Sequence, residues 1–87
     1  LGTVAMASVE QANQAVKSCL RAFDGWRDTP VEESAALLRR TADQFRKRRF
    51  ELSAWIVFES GKPWREADAD VAEAIDFCDY YALEMLK

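Results

Sequence analysis

The chain has 87 residues, of which 49% are hydrophobic and 31% charged, with a formal net charge of −3 and no histidine. This length allows one small domain or a part of a larger one, and the composition is that of a globular chain. The mild negative charge predicts no general attraction to nucleic acid or to anionic membranes. Without histidine, a Ser-His or Cys-His catalytic pair is excluded.

No apolar run approaches the roughly 18 residues that a membrane-spanning helix needs. No secretory leader pattern opens the chain either. We therefore expect a cytoplasmic protein without a transmembrane segment. The sequence begins Leu1-Gly2-Thr3 rather than with methionine, which indicates a segment of a longer protein.

The first predicted helix covers residues 8 to about 25. Ser8 is a favourable N-cap, and Gln11, three residues later, completes a capping box. Gly25 is expected to end the helix. The apolar side chains recur at helical spacing, and they are Val9, Ala12, Val16, Cys19, Leu20, Phe23 and Trp26. This stripe predicts an amphipathic helix in which Cys19 is buried as a small hydrophobic residue.

The second predicted helix covers residues 30–47 and begins at the clearest start signal in the chain. Thr29 is expected as the N-cap, Pro30 as the first helical residue, and Glu32 as the residue that closes the capping box. The apolar stripe consists of Val31, Ala35, Leu38, Ala42 and Phe45. Its next position falls on Arg49, so we expect a kink or a new helix near residues 47–49.

Residues 49–60 are apolar on nearly all sides, which is typical of a buried helix or a short buried strand. Because no turn residue separates this segment from the second helix, we favour a helix. The breaker Gly61-Lys62-Pro63 precedes the last predicted helix, over residues 64–87. The main stripe of that helix is Ala67, Val71, Ile75, Cys78, Ala82 and Met85. Short turns between such helices predict an all-α fold, an antiparallel bundle of three or four helices.

A basic run covers residues 46–49, with Arg39 and Arg40 just before it. One interpretation is a phosphate-binding patch. The other is a solvated helix face, with Asp43 four residues before Lys47 and Lys47 four residues before Glu51. Since no aromatic or amide residues for reading bases are interleaved, we favour the solvated face and expect no nucleic-acid binding.

The last helix carries an acidic run, Glu66, Asp68, Asp70, Glu73, Asp76 and Asp79. These carboxylates are spread around the helix, whereas a metal site needs ligands that converge on one point. Solvation and the helix dipole explain them better. The glycines are too scattered for a phosphate-binding loop, and no nucleophile-base set can be assembled. We therefore predict no catalytic, cofactor-binding or metal-binding residue in the chain.

The last helix also has a second patterned face. At about 100° per residue, four residues fall opposite the main stripe, and they are Ala69, Glu73, Phe77 and Tyr80. Two aromatic residues on the polar side indicate a helix that is packed on both sides. The alternative is that Phe77 and Tyr80 lean over a neighbouring helix. A true second face would be covered by another subunit or by the rest of a longer protein.

Two motifs resemble the aldehyde dehydrogenase superfamily, in which an E-x-G-K-P turn leads into a long helix with a tyrosine pair. Here they are Glu59-Ser60-Gly61-Lys62-Pro63 and Tyr80-Tyr81-Ala82. The intervening residues 64–77, WREADADVAEAIDF, resemble the pyrroline-5-carboxylate dehydrogenases of proline catabolism. Upstream matches bring the resemblance to essentially the whole chain, and they are Gly2-Thr3-Val4, Ala22-Phe23 with Trp26, and Leu37-Leu38 with Ala42.

The resemblance implies the N-terminal helical segment of an enzyme that oxidises L-glutamate γ-semialdehyde to glutamate with NAD. The catalytic cysteine and glutamate and the NAD-binding sheet of this family come after such a segment. Neither Cys19 nor Cys78 matches the catalytic position. We therefore expect the segment alone to be inactive, to bind no NAD tightly, and to self-associate through the faces that meet the remaining domains of the parent chain. A free-standing helical protein-interaction module is the alternative.

The resemblance also implies one substrate-binding position. In the family, the helix with the tyrosine pair lends a side chain to the wall of the substrate funnel, two turns before that pair. This position is Glu73, with Ala69 one turn earlier and Phe77 on the same face. A carboxylate there would bind the α-ammonium group of the substrate. The competing interpretation is a surface glutamate, but the second face of the helix favours the pocket wall.

Overall fold

The structure is a computed structural model that describes residues 2–87. Over these residues the chain forms four α-helices and no strand, so the all-α prediction is confirmed. The helices are α1 (Val9–Arg27), α2 (Val31–Lys47), α3 (Arg49–Ser60) and α4 (Trp64–Glu84). Residues 49–60, whose apolar pattern fits either a buried helix or a buried strand, are therefore helical.

The start of α1 is the predicted capping box. The Gln11 backbone N–H donates to the Ser8 hydroxyl at 3.2 Å, and the Ser8 backbone N–H donates to the Gln11 side chain at 2.8 Å. The predicted end at Gly25 is wrong, because α1 continues to Arg27. The Thr29 hydroxyl donates to the Gly25 carbonyl at 3.0 Å, which satisfies a terminal backbone acceptor. Pro30 disfavours helical geometry in the residue before it, and this stops the helix.

The start of α2 differs from the predicted cap. Its N-cap is Pro30, and no side chain caps it. Thr29 does not cap α2 because its hydroxyl is bonded back to α1. The Pro30 carbonyl instead accepts from the backbone N–H groups of Glu33 at 3.0 Å and Ser34 at 3.2 Å.

The other two breaks between helices lie where the sequence predicts them. The helical path is interrupted at Arg48 (φ −106°, ψ 15°), within the expected region, and the redirected α3 brings Arg49 to Asp68 on α4. Gly61 ends α3 in the left-handed conformation at φ 67°, and its N–H donates to the Val57 carbonyl at 3.0 Å. Such a conformation is accessible to glycine at little cost.

The core is small and lies where α2, α3 and α4 meet. Its buried hydrophobic residues are Ala35, Ala42, Ala67, Val71, Ile75 and Ala82. Four partly buried side chains pack against it, namely Phe45, Leu52, Ile56 and Cys78. Alanine at four of the six buried positions lets the helix backbones approach closely. The fully buried Ser53 was not predicted, and its hydroxyl donates to the Arg49 carbonyl at 2.8 Å.

Two burial predictions fail at the edges of this core. The segment of α3 was expected to be buried on nearly all sides, but Phe50 is 75% exposed, Phe58 65% and Trp55 54%. The α3 helix packs mainly on α4 and touches α2 little, so only one side of it is covered. Met85, the last residue of the α4 stripe, lies just after the helix and is also exposed.

Among residues 2–87, α1 packs against none of the other three helices. It contains no buried residue, and its large apolar side chains, including Leu20, Phe23 and Trp26, remain exposed. The radius of gyration is 16.7 Å, compared with about 12 Å for a compact domain of this length. The packed unit therefore consists of α2, α3 and α4, with α1 extending away from it.

Candidate functional site

The α4 helix has a face that no other described helix covers. We call this the outer face of α4, and it is formed by Ala69, Glu73, Phe77 and Tyr80. Phe77 is 49% exposed and Tyr80 55% exposed, so they do not lean under a neighbouring helix of the described chain. Phe77 instead stacks on Tyr81 of the same helix, with ring centroids 5.9 Å apart, and Tyr81 meets Tyr80 edge-on at 5.3 Å.

An open depression of about 360 Å³ lies on this face, lined by Glu73, Asp76, Phe77 and Tyr80. Of the three predicted substrate-binding residues, it brings together Glu73 and Phe77. Ala69 lies on the same face, one turn earlier, but does not line the depression. Asp76 and Tyr80 also line the depression. The helical wheel predicts that Tyr80 lies on this face. The exposed lining of the depression is almost entirely apolar, so the depression itself suits the aliphatic chain of a ligand.

Beside the outer face, the turn before α4 places a lysine against the helix. The Lys62 ammonium donates to the Asp70 carboxylate at 2.5 Å. This contact raises the pKa of Lys62 above its usual range, chiefly through the hydrogen bond to Asp70, with smaller contributions from the charges of Glu66 and Glu73. The positive charge of Lys62 is therefore kept near the outer face.

The basic run is largely neutralised within the chain. Arg49 forms a bidentate pair with Asp68, with both contacts at 2.6 Å, and Arg46 pairs with Asp79. Hydrogen bonding to Asp68 is the main cause that raises the pKa of Arg49, and the same bond lowers the pKa of Asp68. These pairs join α3 and α2 to α4 and neutralise Arg49 and Arg46 of the basic run.

The local pairs in this region differ from the predicted ones. Lys47 was expected to pair with Asp43 and Glu51, four residues away on either side. Instead Asp43 pairs with Arg46 at 3.0 Å and Glu51 with Arg48 at 2.6 Å. The break at Arg48 changes the helical phase, so the four-residue spacing from Lys47 to Glu51 no longer puts the two side chains on one face.

Metal binding has no support in the described part of the chain. Among residues 2–87, no group of three or more histidine, cysteine, aspartate or glutamate side chains is arranged to hold a metal ion. Three members of the acidic run, Asp68, Asp70 and Asp79, are in ion pairs with basic side chains.

The cysteines occupy different environments. Cys78 is half-buried beside the core, as its place in the α4 stripe predicts, whereas Cys19 is exposed. The prediction of a buried Cys19 is wrong because α1 has no partner among the described helices. None of the helices described for residues 2–87 is both long and apolar enough to cross a membrane.

Comparison with known proteins identifies the class of this chain. The sequence model of the aldehyde dehydrogenase family matches residues 1–87. The chain therefore belongs to the aldehyde dehydrogenase family, which confirms the resemblance seen in the E-x-G-K-P turn and the tyrosine pair.

The curated relatives narrow this class further. The chain is 53% identical over 87 residues to 1-pyrroline-5-carboxylate dehydrogenase 2 of Bacillus subtilis. It is also 53% identical to 1-pyrroline-5-carboxylate dehydrogenase of Geobacillus thermodenitrificans, and 48% identical to 1-pyrroline-5-carboxylate dehydrogenase 1 of Halalkalibacterium halodurans. All of this chain is covered in each case, but only 17% of each relative. The comparison with solved structures yields no match.

Proposed function

We propose that this chain acts as the N-terminal helical segment of a cytoplasmic, NAD-dependent pyrroline-5-carboxylate dehydrogenase of proline catabolism. The whole enzyme would oxidise L-glutamate γ-semialdehyde to glutamate. The names of relatives that are about half identical over the whole chain support this reaction. Two uncovered surfaces, the apolar stripe of α1 and the outer face of α4, support a role in which the remaining domains pack against the segment.

Within that enzyme, the outer face of α4 forms one wall of the substrate pocket. The observation that carries this proposal is that Glu73 and Phe77 line one open depression on a face that the other described helices leave uncovered. The Glu73 carboxylate binds the α-ammonium group of the substrate, and Phe77 packs against its aliphatic chain. Ala69, a small residue one turn before Glu73, leaves room for the substrate to approach.

The NAD cofactor does not fit the residues described here. A dinucleotide pyrophosphate is commonly bound by a glycine-rich turn at the N-terminus of a helix. Each helix of this chain instead has an acidic residue in its first turn, and these are Glu10 in α1, Glu32 and Glu33 in α2, Glu51 in α3 and Glu66 in α4. Their charge repels phosphate. We therefore assign NAD binding and hydride transfer to the remaining domains, and expect the isolated segment to produce no NADH.

Exposed apolar surface also supports self-association of the isolated segment. Leu20 is 68% exposed, Phe23 55% and Trp26 58%, all on one side of α1. Such a patch is costly in water and is reduced when two copies meet. Sedimentation should show dimers or larger species at high concentration, and a clean monomer would contradict this.

The same stripe is the observation that favours the second candidate function, a free-standing helical interaction module. The two candidate functions predict different coding sequences after Lys87. Only the dehydrogenase requires a glycine-rich strand-to-helix stretch there, followed by a cysteine in a glycine-rich loop. An open reading frame that stops at Lys87 would favour the module.

The role of Glu73 is tested in the full-length enzyme. Because a hydrogen bond to a charged group is worth about 1.5–3 kcal/mol, Glu73→Ala should raise KM for the semialdehyde by about 10- to 100-fold. Glu51→Ala, which removes a carboxylate from α3, is the matched control and should leave KM near the wild-type value. An unchanged KM in Glu73→Ala would refute the assignment.

A further inference from the structure

The ion pair between Lys62 and Asp70 lies next to the proposed substrate-binding glutamate. Glu66, Asp70 and Glu73 follow one another at steps of four and three, so they lie along one side of α4. Lys62 comes from the turn that precedes the helix, and its side chain runs along this side to reach Asp70 at 2.5 Å. Its ammonium group is therefore bonded to the middle one of three carboxylates that follow one another along this side of α4.

Asp70 is well placed to retain the lysine. Its side chain is 37% exposed and lies at the border between the outer face and the side of α4 that α3 covers. There it lines a depression of about 260 Å³ together with Trp55, Ile56 and Val71. Apolar neighbours on one side exclude part of the solvent, which strengthens an ion pair relative to a fully exposed one.

Glu73 lies one helical turn beyond Asp70, the partner of Lys62. The raised pKa of Lys62 is due first to the hydrogen bond with Asp70, but the charges of Glu66 and Glu73 contribute to it. A lysine ammonium and a substrate ammonium present the same chemistry to a carboxylate, namely a compact cation with N–H donors. The lysine is therefore a built-in competitor for the carboxylate proposed to bind the substrate.

We propose that Asp70 is a positioning residue that retains Lys62 and so keeps the Glu73 carboxylate available to the α-ammonium group of the substrate. This inference rests on the proposed function of Glu73. Without Asp70, the flexible lysine side chain is shared between Glu66 and Glu73, and the substrate has to displace it. The E-x-G-K-P turn and the acidic pattern of α4 thus act together on substrate affinity.

The test is a set of variants of the full-length enzyme. Asp70→Asn should raise KM for L-glutamate γ-semialdehyde about two- to fivefold, the range expected for one exposed ion pair, with little change in kcat. The five-carbon aldehyde acid that lacks the amino group should show no such rise. Lys62→Met in the Asp70→Asn background should return KM to near the wild-type value, because the competitor is then gone.

A double-mutant cycle separates this role from a general effect of charge. In a Glu73→Gln background, Asp70→Asn should have no further effect on KM. An equal rise in that background, a rise with both substrates, or no rise in Asp70→Asn alone would overturn the inference. If Glu73→Gln alone leaves KM unchanged, the proposed function of Glu73 fails as well. If Glu73→Gln raises KM and Asp70→Asn does not, only the role of Asp70 fails.

Discussion

The α1 and α4 helices have 19 and 21 residues, and both carry an apolar stripe, yet α1 buries no residue whereas α4 buries Ala67, Val71, Ile75 and Ala82. The stripes differ in the size of their residues. Two of the four buried residues of α4 are alanines, which allow the neighbouring helices to approach closely. The α1 stripe ends in leucine, phenylalanine and tryptophan, and these remain exposed. The comparison teaches that periodicity identifies the face to be buried but not the surface that buries it.

The largest expected contrast is between truncations in the two stripes. Ile75 is only 6% exposed and packs in the core, so Ile75→Ala should lower the free energy of unfolding by about 2–4 kcal/mol. Leu20 on α1 is 68% exposed, and Leu20→Ala should change the free energy of unfolding by no more than about 0.5 kcal/mol. Urea denaturation of the chain, followed by circular dichroism at low concentration, measures both. Equal losses would mean that α1 packs against the other helices in solution.

A contrast of intermediate size is expected between alanine substitutions at two glycines. Gly61 caps α3 at φ 67°, a conformation that is strained for an L-residue, so Gly61→Ala should destabilise the packed unit by about 1 kcal/mol. Gly25 lies inside α1 without a positive φ, and an added Cβ would meet no atom within 4 Å. Gly25→Ala should therefore stabilise α1 locally by about 0.5–1 kcal/mol. Amide hydrogen exchange resolves the two regions, and slower exchange near residue 61 in Gly61→Ala would contradict the prediction.

The smallest expected effect concerns the ion pair that joins α3 to α4. Hydrogen bonding to Arg49 lowers the pKa of Asp68 in the folded chain. A lowered carboxylate pKa contributes stability above the unfolded value of about 3.9, and this contribution is lost as the pH falls through the folded value. Asp68→Asn should therefore be slightly less stable than wild type at pH 7, and its stability should fall less on acidification.

A matched control for Asp68 exists just after α1. The pKa of Asp28 is also lowered, by the hydrogen bond to Arg27, but these neighbours in sequence remain close in the unfolded chain. Asp28→Asn should therefore have the same urea midpoint as wild type at each pH from neutral to about pH 3, below the usual pKa of an aspartate. An identical pH dependence of wild type and Asp68→Asn would show that the Arg49 pair does not stabilise the fold.

Much of the candidate site was predictable because it depends on one helix. The spacing of Glu73, Phe77 and Tyr80 within α4 places them on one face in any α-helix, whatever packs around it. Asp76, three residues after Glu73 and four before Tyr80, also lies beside them by spacing, although it was not among the predicted substrate-binding residues. The pairing of Lys62 with Asp70 was harder to predict, because it depends on how the turn at Gly61 directs the lysine.

The sequence by itself determined the features that involve residues close together in the chain. These are the capping box at Ser8, the turn at Gly61, and the two faces of α4. Only the tertiary structure decided which stripes are buried and that Arg49 and Arg46 pair with Asp68 and Asp79 on α4. The reason is physical, since a local pattern specifies which groups need burial or a partner, whereas the partner comes from another element. For α1, the described chain supplies no such partner.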